Sequence, residues 1–178
     1  MNEFMLRFDE YSCWGCKACE VACALENKTP DGVKYLEIFE DGPKEVDGKP
    51  SFIYRARVCR HCDDPPCAAA CPVGAIVKRE DGIVILNPDE CTGCQSCMEA
   101  CPYTAISFDS EAGVARKCNL CSFRVDHGLY PACADNICLA HCIYFGDPGE
   151  IDSIMTQKPW LKKRMEQAAA EVARQTKK

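Results

Sequence analysis

Seventeen cysteines in 178 residues carry the chemistry of this chain, and most of them fall in runs. The most regular run is Cys91-Thr92-Gly93-Cys94-Gln95-Ser96-Cys97-Met98-Glu99-Ala100-Cys101-Pro102, or C-x2-C-x2-C-x3-C-P. That spacing suits an iron–sulfur cube, which offers an iron at each of four tetrahedral corners and takes one thiolate on each. Three cysteines at short intervals wrap a tight loop around one cube. The fourth lies too far along the emerging helix to close it, and so reaches a neighbouring cube. A single run of this kind demands a second, and the chain has four.

Cys13-Trp14-Gly15-Cys16-Lys17-Ala18-Cys19-Glu20-Val21-Ala22-Cys23 repeats the spacing without the proline. Cys59-Arg60-His61-Cys62, Cys67 and Cys71-Pro72 read C-x2-C-x4-C-x3-C-P, with two extra residues within Asp63-Asp64-Pro65-Pro66. The last run is irregular: Cys118-Asn119-Leu120-Cys121, then Cys133, Cys138 and Cys142. Glycines inside the loops, Gly15 and Gly93, are expected to let backbone N–H groups approach sulfur. Pro72 and Pro102 are expected to turn the chain into the next strand without a competing N–H. His61 reads as a packing residue or as a donor to a cluster sulfur. Arg60, Lys117 and Arg124 read as surface charges or as cations that stabilise a reduced cube.

Composition narrows the alternatives. Cysteine at nearly a tenth of the chain means a disulfide scaffold or a metal protein. Residues Met1 to Tyr11 carry Asn2, Glu3, Arg7, Asp9 and Glu10 with no apolar core, unlike a secretory signal. Repeated C-x2-C pairs converge on one point and suit metal better than disulfides. Reduced thiols therefore lead us to expect a cytoplasmic protein of anaerobic metabolism. The longest apolar run, Cys67 to Val77, is far short of the roughly twenty residues a membrane span needs. Net charge is −6, yet Lys158 to Lys178 is +5, leaving −11 on residues 1–157. An acidic body with a basic tail argues against nucleic acid and suggests a charged docking partner.

Short elements must position these runs. Phe4 to Tyr11 alternates weakly and predicts a strand entering the first run. Turn signals at Asp31-Gly32, Asp41-Gly42-Pro43 and Asp47-Gly48 predict a surface insertion over residues 24–58 with one or two strands, the last leading from Phe52 to Val58. Hairpins are predicted over Ala75–Leu86, around Asp81-Gly82, and over Ala105–Arg116, turning near Glu111-Ala112-Gly113. Cluster loop, short helix and hairpin thus recur as an internal repeat. Leu161, Met165, Ala168 and Val172 fall at helical spacing, which predicts a basic helical tail over residues 158–178.

Taken together, the runs resemble the four-cluster ferredoxin family, whose members are electron-transfer subunits of molybdenum and tungsten pterin oxidoreductases. The matching pieces are Cys16 to Cys23, Cys59 to Cys67, Cys71-Pro72-Val73-Gly74-Ala75-Ile76, Pro131-Ala132-Cys133 and Phe145-Gly146-Asp147, which together span about residues 4–147. The resemblance implies an α+β fold of two bacterial-ferredoxin-like double-cluster modules, interleaved in sequence and built of small strand hairpins and short helices. One module would come from residues 13–23 and 118–142, the other from 59–116, within a body over 1–157. Four 4Fe–4S clusters are implied. Cys59, Cys62, Cys67 and Cys101 would hold one, and Cys91, Cys94, Cys97 and Cys71 its neighbour. Cys13, Cys16, Cys19 and Cys138 would hold a third, and Cys118, Cys121, Cys133 and Cys23 the last.

One departure bears on the last run, where the family reads Cys-x3-Cys-Pro and this chain has Cys133-x4-Cys138-Leu139. The distance from Cys138 to Phe145 matches the family, so Cys138 is the expected ligand and Cys142 a small buried hydrophobe. Cys142 and His141 are the alternative ligands, with three clusters and a zinc site as the alternative to four. No nucleophile–base pair or phosphate-binding loop stands out, so the resemblance implies a non-catalytic subunit bound to a large tungsten- or molybdenum-pterin subunit, with further electron-transfer subunits as additional partners. At a narrower level the chain is similar to small subunits of tungsten aldehyde-oxidoreductase-type enzymes, including the class II benzoyl-CoA reductase complex. A freely diffusing polyferredoxin and a zinc-only structural module are the competing classes.

Overall fold

The computed structural model describes residues 4–46 and 48–158; apart from Lys158, the tail read above as a helix lies outside the described residues. Short helices alternate with two-stranded antiparallel sheets. β1 (Met5–Phe8) enters the first cysteine run, and α1 (Ala18–Asn27) leaves it. β2 (Leu36–Val46) and β3 (Lys49–Val58) follow, then α2 (Pro66–Ala69), β4 (Ile76–Lys78) and β5 (Val84–Leu86). α3 (Ser96–Ala100), β6 (Ile106–Asp109), β7 (Val114–Lys117), α4 (Ser122–Asp126), β8 (Ile143–Gly146) and α5 (Pro148–Thr156) complete the order.

Each predicted hairpin forms. β4 pairs β5 from Ile76↔Leu86 to Lys78↔Val84, and β6 pairs β7 from Ile106↔Lys117 to Asp109↔Val114. At the first turn the Asp81 carboxylate accepts the Ile83 N–H at 3.0 Å. At the second, buried Asp109 accepts the Glu111 and Ala112 N–H groups and pairs with Arg116 at 2.7 Å. The Ala112 N–H and the Arg116 guanidinium hold its carboxyl below the usual range.

The repeat extends to the backbone after each proline. In Cys71-Pro72-Val73-Gly74 the Cys71 carbonyl accepts the Gly74 N–H at 3.3 Å, and in Cys101-Pro102-Tyr103-Thr104 the Cys101 carbonyl accepts the Thr104 N–H at 3.2 Å. Gly74 and Thr104 both adopt left-handed backbone, and buried Ala75 and Ala105 follow. Both prolines therefore sit in tight turns that deliver the chain to a strand, as expected.

Two strands occupy the insertion, as one long hairpin with a register shift between Asp41 and Lys44. Glu20 of α1 fastens it by accepting the Ile38 N–H at 2.6 Å, and Glu10 accepts the Ala56 N–H at 3.2 Å. β1 pairs β8 from Met5↔Gly146 to Phe8↔Ile143, which carries the first cysteine run against the last. Helix α5 was not anticipated, although Asp147 caps it through the Gly149 and Glu150 N–H groups and Pro148 opens it.

Buried side chains form two cores. One joins Leu6, Leu36, Ile38, Val58, Ile83 and Leu120 with Cys19, Cys23, Cys118 and Cys133. The other joins Ile76, Val84, Ile106 and Ala115 with Cys67 and Cys97. Cysteine is thus a core residue in both, and the apolar interior exists chiefly around sulfur.

Candidate metal centres

Three cavities are lined by cysteines brought together from separate runs. Cys91, Cys94 and Cys97 share one with Cys71, walled by Val73, Ala75, Ile76 and Leu86. Cys59, Cys62 and Cys67 share another with Cys101, walled by Pro65, Pro66, Val84 and Ile106. The exchange is reciprocal: each run lends its last cysteine to the other. Cys13, Cys16 and Cys19 share the third with Cys138 and Cys142. All three are lined by four or five cysteines walled by apolar side chains, so one kind of group suits all of them.

Helical geometry explains the exchange. Cys19 and Cys23 stand four apart on α1, and both are buried. Side chains at that spacing share a face but sit just over one turn apart, about 6 Å along the axis, and so serve adjacent centres. Cys67 and Cys71 around α2, and Cys97 and Cys101 around α3, repeat the arrangement.

Cys23, Cys118, Cys121 and Cys133 are all buried and make the fourth set. The Asn27 amide donates toward the Cys23 and Cys121 sulfurs at 3.7 and 3.9 Å, tying α1 to the last run. Asn27 was missed in the sequence, where its place one helical turn after Cys23 was the available signal. Burial, reinforced by Cys121 and Cys19, pushes the Cys23 thiol up to about 12. Burial and the Cys118, Cys23, Cys121 and Cys19 thiols raise Cys133 in the same way. Packed thiols of this kind ionise only when a metal supplies the opposing charge.

The loops aim backbone N–H groups at sulfur. Gly15, His61 and Leu120 each stand two residues after the first cysteine of a run, in left-handed backbone. They donate to Cys13, Cys59 and Cys118 at 3.4, 3.5 and 3.3 Å. Glycine accepts that conformation freely, whereas His61 and Leu120 hold it at a cost of about 1–2 kcal/mol each. The equivalent Gly93 is left-handed too, and a Cβ there would lie 2.3 Å from the Gly113 carbonyl oxygen. Close approach and chain reversal are therefore one requirement, which the sequence disclosed at the two glycines and concealed at His61 and Leu120.

Charge separates the basic residues. Arg60 is exposed, its guanidinium 5.7 Å from the Tyr103 ring centre. Arg124 pairs with Glu26 and Asp135, joining α1, α4 and the following loop. Lys117 is buried, and its ammonium donates to the Val84 carbonyl and, at 2.8 Å, to the Cys118 carbonyl. It favours ionisation of both Cys67 and Cys118, thiols of two different sets. His61 is buried beside it, and its Nδ1 accepts the Val84 N–H at 3.0 Å. Burial and the Lys117 charge push the imidazole down to about 3, so His61 is a neutral packing residue.

Among the described residues, no three His, Cys, Asp or Glu side chains stand as a site for a single ion. Four thiols around an apolar cavity, with N–H groups directed at sulfur, fit a cube.

Comparison with known proteins agrees. Two family models, each described as a 4Fe–4S dicluster domain, match residues 50–148 and 12–75. The B subunit of polysulfide reductase from Wolinella succinogenes is 41% identical over 160 residues, covering 86% of this chain and 83% of its own length. The thiosulfate reductase electron transfer subunit of Salmonella typhi is 35% identical over 161 residues, 88% of this chain and 83% of the relative. The B subunit of anaerobic dimethyl sulfoxide reductase from Haemophilus influenzae is 38% identical over 143 residues, 76% and 70%. Cysteine runs, reciprocal cavities and relatives lead to one conclusion: this protein belongs to the iron–sulfur electron-transfer subunits of the dimethyl-sulfoxide-reductase type, built on 4Fe–4S dicluster domains.

Proposed function

We propose that the four cysteine sets hold four 4Fe–4S clusters, and that the chain moves single electrons to or from a tungsten- or molybdenum-pterin catalytic subunit. The observation that carries this reading is the order of the sets. Cys19 of the Cys13 set neighbours Cys23 and Cys133 of the Cys23 set. Cys118 of the Cys23 set neighbours Cys59, and Cys97 of the Cys91 set neighbours Cys67 of the Cys59 set. These neighbours give the sets the order Cys13, Cys23, Cys59 and Cys91, which supports passage of an electron from each to the next. Cys16 and Cys94, the two exposed cysteines, belong to the two ends of that order. Exposed Trp14 accompanies the first and half-exposed Val73 the second, which suits partners docking at both ends.

Bound in these sets, each cluster takes up and returns one electron. The chain's part is to hold and insulate. Thiolates fix the corners, Ile76, Val84 and Ile106 exclude water, and the Gly15, His61 and Leu120 N–H groups stabilise negative charge on sulfur. Lys117 adds a buried positive charge between two sets. We keep the division into two modules, over residues 13–23 with 118–142 and over 59–116, with Ile83 of the second stretch packed into the core of the first. With every donor position used by cysteine, no open coordination site is left for a substrate, so catalysis belongs to the partner.

Metal analysis of anaerobically purified protein tests the count. About sixteen iron per chain without zinc supports the proposal; about twelve iron and one zinc removes one cluster. Colourless protein with no paramagnetic signal after dithionite refutes it. Co-purification with a large tungsten or molybdenum subunit supports a fixed subunit, whereas purification alone in a reducible state favours a diffusing polyferredoxin. Among the described residues no helix is long and apolar enough to cross a membrane. We expect a cytoplasmic protein, because cluster-binding thiols must stay reduced until they are loaded; cell fractionation checks this.

A further inference from the structure

The Cys13 cavity holds a fifth thiol, and a cube has corners for only four. Cys142 is buried, and its Sγ lies 3.4 Å from the Cys138 Sγ. It lines the same cavity as Cys13 and donates its own backbone N–H toward the Cys138 sulfur at 3.5 Å. Both thiols therefore face the same corner. In the other runs, cysteines four apart lie on or beside a helix and divide between two centres. Cys138 and Cys142 instead flank a turn, closed by the His141 N–H on the Cys138 carbonyl at 2.9 Å with His141 left-handed, and the turn folds the pair together. Cys142 is also held firmly, because its carbonyl accepts the Asp9 N–H at 2.8 Å where β8 meets β1. Buried Ala105 holds the equivalent place after Cys101, with its N–H on the Cys101 sulfur at 3.5 Å, so what sets Cys142 apart is its thiol inside the cavity.

We propose that Cys142 is a second, exchangeable ligand at the corner held by Cys138, so that either thiolate closes the cluster bound by Cys13, Cys16 and Cys19. The exchange rests on the reading of this cavity as a 4Fe–4S site. It is balanced without a redox partner: the Cys138 sulfur–iron bond breaks, the Cys142 sulfur–iron bond forms, and the Cys142 thiol proton passes to the Cys138 sulfur across their contact. Cys138, on the more exposed loop, thereby has a buried substitute at a terminal centre of the order.

The test compares Cys138→Ala, Cys142→Ala, the double variant and Cys13→Ala in the full-length chain, purified anaerobically with whatever subunits accompany it. Iron content and the paramagnetic signal of a three-iron cluster in the oxidised protein are the readouts. Both single variants should keep the wild-type iron content and lack the three-iron signal. The double variant should lose about one iron per chain and gain that signal. A three-iron signal in Cys138→Ala as strong as in the double variant overturns the exchange, as does the same result in Cys142→Ala, which would make Cys142 the sole ligand. If the double variant is unchanged while Cys13→Ala loses iron, neither thiol closes the corner and the exchange fails alone. If Cys13→Ala is unchanged as well, the cluster assignment of the cavity fails. Should the double variant not accumulate, Cys138→Ala decides: full iron without the signal supports exchange, and the signal overturns it.

Discussion

Replacing Lys117 by glutamine removes a positive charge from the middle of the thiol array while keeping a hydrogen-bond donor of reduced reach. The ammonium is buried, bonded to the Val84 and Cys118 carbonyls, and acts on Cys67 and Cys118. The Cys59 and Cys23 sets should therefore both respond. At a separation of about 8 Å and an effective dielectric of about 20, one unit charge contributes about 2 kcal/mol. For a one-electron couple that is about 90 mV, taking ~59 mV for each tenfold change. Reduction adds negative charge, so losing the cation must lower the potentials. A redox titration followed by paramagnetic resonance should find two of the four centres shifted down by about 50–100 mV. Lys78→Gln is the control, because Lys78 pairs with well-exposed Asp63 at the surface and screening should hold its effect below about 20 mV. A shift of Lys117→Gln no larger than the control, with full iron content, or any upward shift, refutes the electrostatic role.

Cys71→Ala should disturb the centre of Cys91, Cys94 and Cys97 and leave the Cys59 centre intact; a Cys71→Ala/Cys91→Ala double variant that loses more centres than either single one contradicts the reciprocal cavities. Gly93→Ala drives a Cβ to 2.3 Å from the Gly113 carbonyl oxygen, so it should cost more than Gly128→Ala, where left-handed backbone alone costs about 1–2 kcal/mol. Equal denaturation midpoints for these two variants would remove the steric explanation. Glu20→Ala leaves the buried Ile38 N–H without its acceptor and should cost about 1–3 kcal/mol, read by chemical unfolding of the holoprotein. A change below about 0.5 kcal/mol would mean that water replaces the carboxylate.

Much of the fold was legible because its signals are local. Asp81-Gly82 and the Glu111-Ala112-Gly113 turn located both hairpins, and the repeated C-P marked the turns that feed them. Helix α5 carries a local signal of the same kind, since Asp147-Pro148-Gly149-Glu150 places a cap, a proline and an acid where a helix begins. The insertion gave away its strands and not their attachment. That attachment depends on Glu20 and Glu10 meeting backbone N–H groups far along the chain.

By itself the sequence picked out the cysteine runs and the spacing within each, because donor spacing along a loop is a local property. It also disclosed the repeat and the glycines the loops need. Only the tertiary structure decided what depends on segments meeting through space. Burial singled out Lys117 from three basic neighbours and made His61 neutral, since desolvation and a nearby charge act only once the chain is packed. The β1–β8 pairing brought Cys142 beside Cys138 and Cys13, turning a residue read from spacing as a small buried hydrophobe into a fifth thiol in the Cys13 cavity. Spacing can say that a cysteine leaves its own centre; which centre it joins is settled by the contacts that fold the chain.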